Sequence, residues 1–102
     1  MAALMYASAV PASEPGPIVS ARRAAVGRRM RELRRQAGLT QEAAAEAAGL
    51  TRQFYLAVEA GQRTLSLDNM FAIADALGAD PRDLLAGLSA AGQDRRSSES
   101  AK

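Results

Sequence analysis

An all-helical domain follows from three features of this 102-residue chain. Between about residues 18 and 88 the apolar positions recur at three- and four-residue steps, whereas an alternating run of β-branched residues is missing. Glycines and capping Ser, Thr and Asp residues divide the same stretch into short segments. Five short helices joined by tight turns result.

The first helix is expected from about Ser20 to Ala37, with Val26, Met30, Leu33 and Ala37 on one stripe, arginines around the rest, and Gly38 as its left-handed stop. Thr40 caps a short helix from Gln41 to Ala48, which Gly49 ends. Thr51 caps a third, Arg52 to Ala60, which stops at Gly61. Ser66 caps a fourth whose inward stripe is Leu67, Met70, Ile73, Ala74 and Leu77, with Gly78 just past its end. Asp80 as cap, Pro81 at the first helical position and Asp83 in the first turn announce a fifth, with Leu84, Leu85 and Leu88 as its apolar side.

Both ends of the chain lack this pattern. Residues 1–17 form an expected flexible leader, apolar through MAALMYASAV and then broken by Pro11, Pro15, Gly16 and Pro17. Residues 89–102 are rich in Ser, Gly, Gln and charge and are expected to form a flexible tail, leaving 18–88 as the folded domain. No basic stretch precedes the first apolar run, and nowhere do 18 apolar residues follow one another, so the chain reads as cytoplasmic, without a signal peptide or a membrane span.

Composition narrows the chemistry. Cysteine and histidine are both absent, which excludes a disulfide framework and thiolate metal sites and removes the commonest general base. No phosphate-cradling glycine loop is present either, so no enzyme, cofactor, metal or small-molecule site is evident. Apolar residues make up 48% of the chain, but 24 of them are alanine, so large core side chains are scarce. A homodimer is the expected additional source of stability. Phe71, Leu84, Leu85 and Leu88 are candidates for its seam or for closure of the monomer core.

The net charge of +2 hides a strong asymmetry: residues 22–35 hold seven arginines against Glu32, while the remainder is slightly acidic. Such a helix points to an anionic partner. A membrane surface fits poorly, because the apolar stripe of this helix has no Trp and the core requires it.

The two short helices spanning 41–60, joined by Gly49-Leu50-Thr51, match the geometry of a helix-turn-helix, in which the second helix enters the major groove. Ala45 faces the turn and must be small, while Leu50, Tyr55 and Val58 seal the joint from inside. An αα-hairpin in any small bundle has the same outline.

The run from Gly38-Leu39-Thr40-Gln41-Glu42 through Gly49-Leu50-Thr51-Arg52, followed by Val58-Glu59-Ala60-Gly61-Gln62-Arg63, resembles the phage repressor and Cro type of helix-turn-helix, the XRE family. The likeness covers about residues 26–86 and includes Val26-Gly27-Arg28-Arg29-Met30-Arg31-Glu32-Leu33-Arg34 and Ser66-Leu67-Asp68-Asn69. It implies a compact, repressor-like domain that binds double-stranded DNA and regulates transcription, probing an inverted-repeat operator as a dimer. The alternative is an interaction module, antitoxin-like, that keeps the scaffold and binds protein.

Carried over residue by residue, the resemblance places Gln41 at a phosphate, where it helps orient the recognition helix. Arg52 and Gln53 fall at the positions that reach base edges, and their chemistry suits guanine and adenine respectively. Thr51 combines capping with a backbone or base contact, and Arg63 and Thr64 lie in the loop that follows the DNA backbone. Phe54 stands where relatives often have tyrosine, so its ring is left to pack on sugar or a thymine methyl. Arg34 and Glu59 match an ion pair joining the first helix to the end of the recognition helix. Arg22, Arg23, Arg28, Arg29 and Arg31 are expected to add phosphate contacts or field.

Other positions depart from the family pattern. Ala44 replaces a usual leucine and Tyr55 a frequent isoleucine, which is read as a volume swap within the core. Leu56 and Ala57 stand where polar readers are common, and Leu56, where exposed, points to a protein contact.

Overall fold

The computed structural model describes residues 14–86 and 88. Most of the expected leader and the whole of the expected tail, residues 1–13 and 89–102, lie outside the described residues. Helix α1 runs Pro17–Gln36, α2 Gln41–Ala47, α3 Arg52–Glu59, α4 Leu67–Leu77 and α5 Pro81–Leu84. No strand occurs among the described residues.

Helix α1 begins three residues earlier than the sequence pattern suggested. Pro17 occupies its first turn, after an extended Gly16 that caps without a side chain. A proline there sacrifices nothing, since the missing N–H belongs to a position that has no intrahelical acceptor. Four helices carry the capping residue expected. Thr40 Oγ1 accepts from Ala43 N at 3.0 Å, Thr51 Oγ1 from Phe54 N at 3.1 Å, Ser66 Oγ from Asn69 N at 3.0 Å and Asp80 Oδ1 from Arg82 N at 2.8 Å. Each cap is worth about 1 kcal/mol to helices too short to persist alone. The glycines expected as stops, Gly38, Gly49, Gly61 and Gly78, all have φ between 65° and 79°.

Every helix contributes to a single core. Met30 and Leu33 enter it from α1, Ala44 and Ala45 from α2, Tyr55 and Val58 from α3, Ile73, Ala74 and Leu77 from α4, and Leu84 from α5. Val26, Leu39, Leu50, Phe54, Leu65 and Met70 pack around it from partly buried positions. Ala37 is exposed at the C-cap rather than on the buried stripe. Leu67 also departs from expectation, at 68% exposed. At about 100° per residue Leu67 and Phe71 fall at the edge of the stripe centred on Met70, Ile73 and Leu77, so they form an outward ridge beside it. Leu84 is fully buried, so it closes the monomer core and is not a seam residue. Leu85 and Phe71 remain 39% and 50% exposed.

Gly27 decides how closely α1 and α3 approach. A Cβ at this buried position would overlap the backbone carbonyl of Glu59, and a helix backbone cannot yield as a flexible side chain can. Gly27→Ala should therefore push α3 away from α1, destabilising the fold by about 1–3 kcal/mol or more; a urea midpoint equal to that of the unaltered chain would refute this close packing.

Ala44 and Tyr55 are each 0% exposed and belong to the same cluster, the arrangement that a volume swap requires. The Tyr55 hydroxyl, however, is buried near the Glu59 carboxylate and the Arg34 guanidinium without a well-formed hydrogen bond among the described residues. Burial pushes its phenol well above the usual tyrosine range, with the charge of Glu59 adding to the effect. Tyr55→Ala should cost about 3–5 kcal/mol through the cavity it leaves, whereas Tyr55→Phe should melt at the same temperature or higher, because it removes a buried hydroxyl without a well-formed hydrogen bond. Loss of stability in the phenylalanine variant would show that the hydroxyl is satisfied.

Candidate nucleic-acid interface

The site is organised by one carboxylate. Glu59 ends α3 with a fully buried side chain, and donors from two other helices converge on it. Arg34 Nη2 reaches Oε1 at 2.9 Å and its Nε reaches Oε2 at 3.1 Å. Gln41 Nε2 donates to Oε1 at 3.1 Å, and Arg31 Nε approaches the same oxygen at 3.4 Å. Arg34 extends the cluster by donating through Nη1 to the carbonyl of Leu39 at 3.0 Å, in the turn between α1 and α2. The expected Arg34–Glu59 pair is therefore present, within a larger network than the sequence disclosed.

Gln41 occupies a different setting from an exposed first-turn residue: its amide nitrogen is held by Glu59, and through it α2 is tied to α3. Arg31 shares that carboxylate and is drawn away from a purely solvent-facing role. Its spacing of three residues from Arg34 put both on one face of α1, which was the available signal. Arg29 is likewise engaged, donating to the Asp83 carbonyl at 2.9 Å and pairing with Glu32 at 2.9 Å, so it fastens α5 to α1.

Burial disfavours a charged Glu59, but the hydrogen bonds from Arg34 and then Gln41 outweigh it and hold the carboxyl below its ordinary value of 4.5. The same pair raises the Arg34 guanidinium further, so it stays charged throughout.

Helix α3 presents two unlike edges. Its leading residues Arg52 and Gln53 are exposed and, among the described residues, their side chains make no hydrogen bond or ion pair. Its trailing residues Tyr55, Val58 and Glu59 are buried. Thr51 is exposed while its hydroxyl caps the helix. Phe54 is half-buried against the core, and the exposed Arg63 lies over its ring at 5.5 Å from the centroid. That cation–π contact brings the loop after α3 back to the first turn of α3. Thr64 is exposed beside Arg63. Leu56 and Ala57 are half-buried, so neither stands out as a free apolar surface.

These elements define a helix-turn-helix: a short helix, a left-handed glycine, and a second helix locked by its C-terminal end with its N-terminal end outward. The family model described as helix-turn-helix matches residues 30–84. The chain belongs to this family, in its phage repressor and Cro form, the XRE type.

Among solved structures, the restriction-modification controller protein C.AhdI from Aeromonas hydrophila is 45% identical over 63% of this chain and 97% of its own, with a TM-score of 0.61. The clp gene regulator ClgR from Corynebacterium glutamicum is 27% identical, covering 76% of this chain and 94% of its own, with a TM-score of 0.63. A hypothetical transcription factor, NHTF, from Neisseria is 34% identical over 74% of this chain and 85% of its own, with a TM-score of 0.61. Among curated proteins none matches the chain. No helix among the described residues is long and apolar enough to cross a membrane.

Because the Glu59 carboxyl is held below its ordinary value, its contribution to stability is fully present above about pH 4.5 and fades as pH falls through the folded-state value. Glu59→Gln should consequently narrow its stability gap to the unaltered chain as pH drops below that point. Glu59→Ala, which strands the nearly buried Arg34, should cost roughly 3–5 kcal/mol at neutral pH. Thermal melts from pH 7 to pH 3 test both statements, and a gap independent of pH would refute the assigned protonation.

Proposed function

We propose that the chain is a DNA-binding transcription regulator that inserts α3 into the major groove. The observation that carries this reading is the division of α3, with Arg52 and Gln53 exposed at its start and Tyr55, Val58 and Glu59 buried at its end. Arg52 is assigned to guanine and Gln53 to adenine, through bidentate contacts to their major-groove edges. Thr51, Arg63 and Thr64 are assigned to the sugar-phosphate backbone, with Phe54 packing against sugar or a thymine methyl beneath Arg63. Gln41 is assigned a phosphate through the amide proton that Glu59 leaves free, so the residue that touches DNA also holds the reading helix.

The regulator acts as a homodimer on an inverted repeat whose half-sites lie about 34 Å apart along one face of the duplex. Phe71, Leu85 and Leu88 are the seam residues on this reading, and the exposure of Phe71 and Leu85 supports it. Restriction-modification control in C.AhdI and clp gene regulation in ClgR agree with a role in transcription. Residues 18–88 are assigned as the DNA-binding domain.

Selection of bound fragments from random duplex DNA, followed by footprinting, is the direct test, and a two-fold symmetric consensus is expected. Affinity should fall with salt at a log–log slope of about −0.9 per phosphate neutralised. Arg52→Ala should cost about 1–3 kcal/mol and relax preference at one base pair of each half-site, while Arg63→Ala should weaken binding to all sequences alike. Retention of nothing from the random pool at low salt would overturn the reading.

A further inference from the structure

Beside the helix-turn-helix, the first half of α1, the loop after α3, the start of α4 and the chain following α5 enclose a half-open cleft of about 240 Å³. Its walls are apolar, built from Val26, Val58, Leu65 and Met70, with Leu85 and Leu88 at one side. Three cations, Arg22, Arg23 and Arg63, complete the lining, and among the described residues none of them forms an ion pair. Among the described residues no carboxylate lines the cleft, and Thr64 contributes a hydroxyl.

This pairing of apolar walls with unneutralised guanidinium groups selects among ligand classes. A sugar or nucleoside would set hydroxyls and ring nitrogens against Val, Leu and Met, where each group left unpaired costs about 1–3 kcal/mol. A neutral hydrocarbon would leave the guanidinium groups of the lining without an anion. An acyl chain ending in a carboxylate meets both halves, since guanidinium groups suit carboxylate geometry and the tail displaces water from the walls. Capacity agrees: a cleft of about 240 Å³ is of small-molecule size and suits an acyl chain of medium length.

We propose that this cleft is a binding site for a medium-chain carboxylate, its tail against Val26, Val58, Leu65 and Met70 and its head group on Arg22, Arg23 and Arg63. Arg63, Leu85 and Leu88 also serve the DNA contact and the dimer seam proposed above, so the cleft is probed without DNA and through methyls that neither of those uses. The full chain, labelled at its methyl groups, is titrated with sodium octanoate, octanol and octylammonium in separate NMR experiments without DNA. Octanoate should produce saturable shifts at the methyls of Val26, Val58, Leu65 and Met70; octanol should bind at least about tenfold more weakly, and octylammonium should not bind. The double variant Arg22→Gln, Arg63→Gln should bind octanoate no better than octanol. Val19→Trp, a bulky side chain introduced from an exposed position at the cleft, should abolish octanoate binding without lowering the melting temperature. Equal affinity for octanoate and octanol would overturn the proposal, as would shifts confined to other residues. Contacts to these same methyls from a second copy or from residues 1–13, together with no response to octanoate, would assign the cleft to that occupant and overturn it too.

Discussion

Glu59 is a charged group at the end of a helix whose other end must face solvent, and its burial constrains everything around it. Removing a carboxylate from water costs several kcal/mol even after relaxation, so the group is tolerated only where donors converge. Arg34 and Arg31 supply them from α1 and Gln41 supplies one from α2. Satisfying one side chain therefore fixes the relation of three helices. An apolar cluster of equal volume could hold these helices together as well, but it would be non-directional. Hydrogen bonds to both carboxylate oxygens define the rotation of α3 about its own axis, and that rotation decides which residues of α3 point outward.

The close approach at Gly27 is the steric counterpart of that electrostatic lock. The glycine lets the α1 backbone come against the carbonyl of Glu59, so contact and charge act on the same residue. A core rich in alanine permits this packing, because Ala25, Ala44, Ala45 and Ala74 let helix axes lie near one another. Tyr55 then supplies the volume that small residues do not. Four side-chain caps allow helices of four to eleven residues to form beneath this core, where propensity alone would leave them frayed.

Much of the site was legible from local pattern. Thr51 followed by Arg52 and Gln53 marked a capped helix with a polar leading edge, and Arg34 with Glu59 could be paired by resemblance. In the structure Arg52 and Gln53 are exposed at the start of α3, and Arg34 pairs with Glu59. Gln41, Arg29 and Arg31 were different, because their partners, Glu59 and Asp83, come from helices distant in sequence. Nothing in the arginine-rich segment distinguishes a solvated guanidinium from one bonded across the fold. Leu67 and Leu84 illustrate the same gap for apolar residues: both suit a buried face, yet one forms an exposed ridge and the other closes the core.

The amino-acid order by itself determined the helices, their caps and their stops, since these rest on hydrogen bonds and φ preferences spanning four residues or fewer. It also determined the family, whose signature lies in the spacing of residues along two adjacent helices. Tertiary structure decided which arginines are spent inside the molecule, where α1 and α3 meet, and that a cleft with a cationic lining opens between α1 and α4. Those outcomes depend on helix rotation and on distances between groups far apart in the chain, and a linear pattern carries neither.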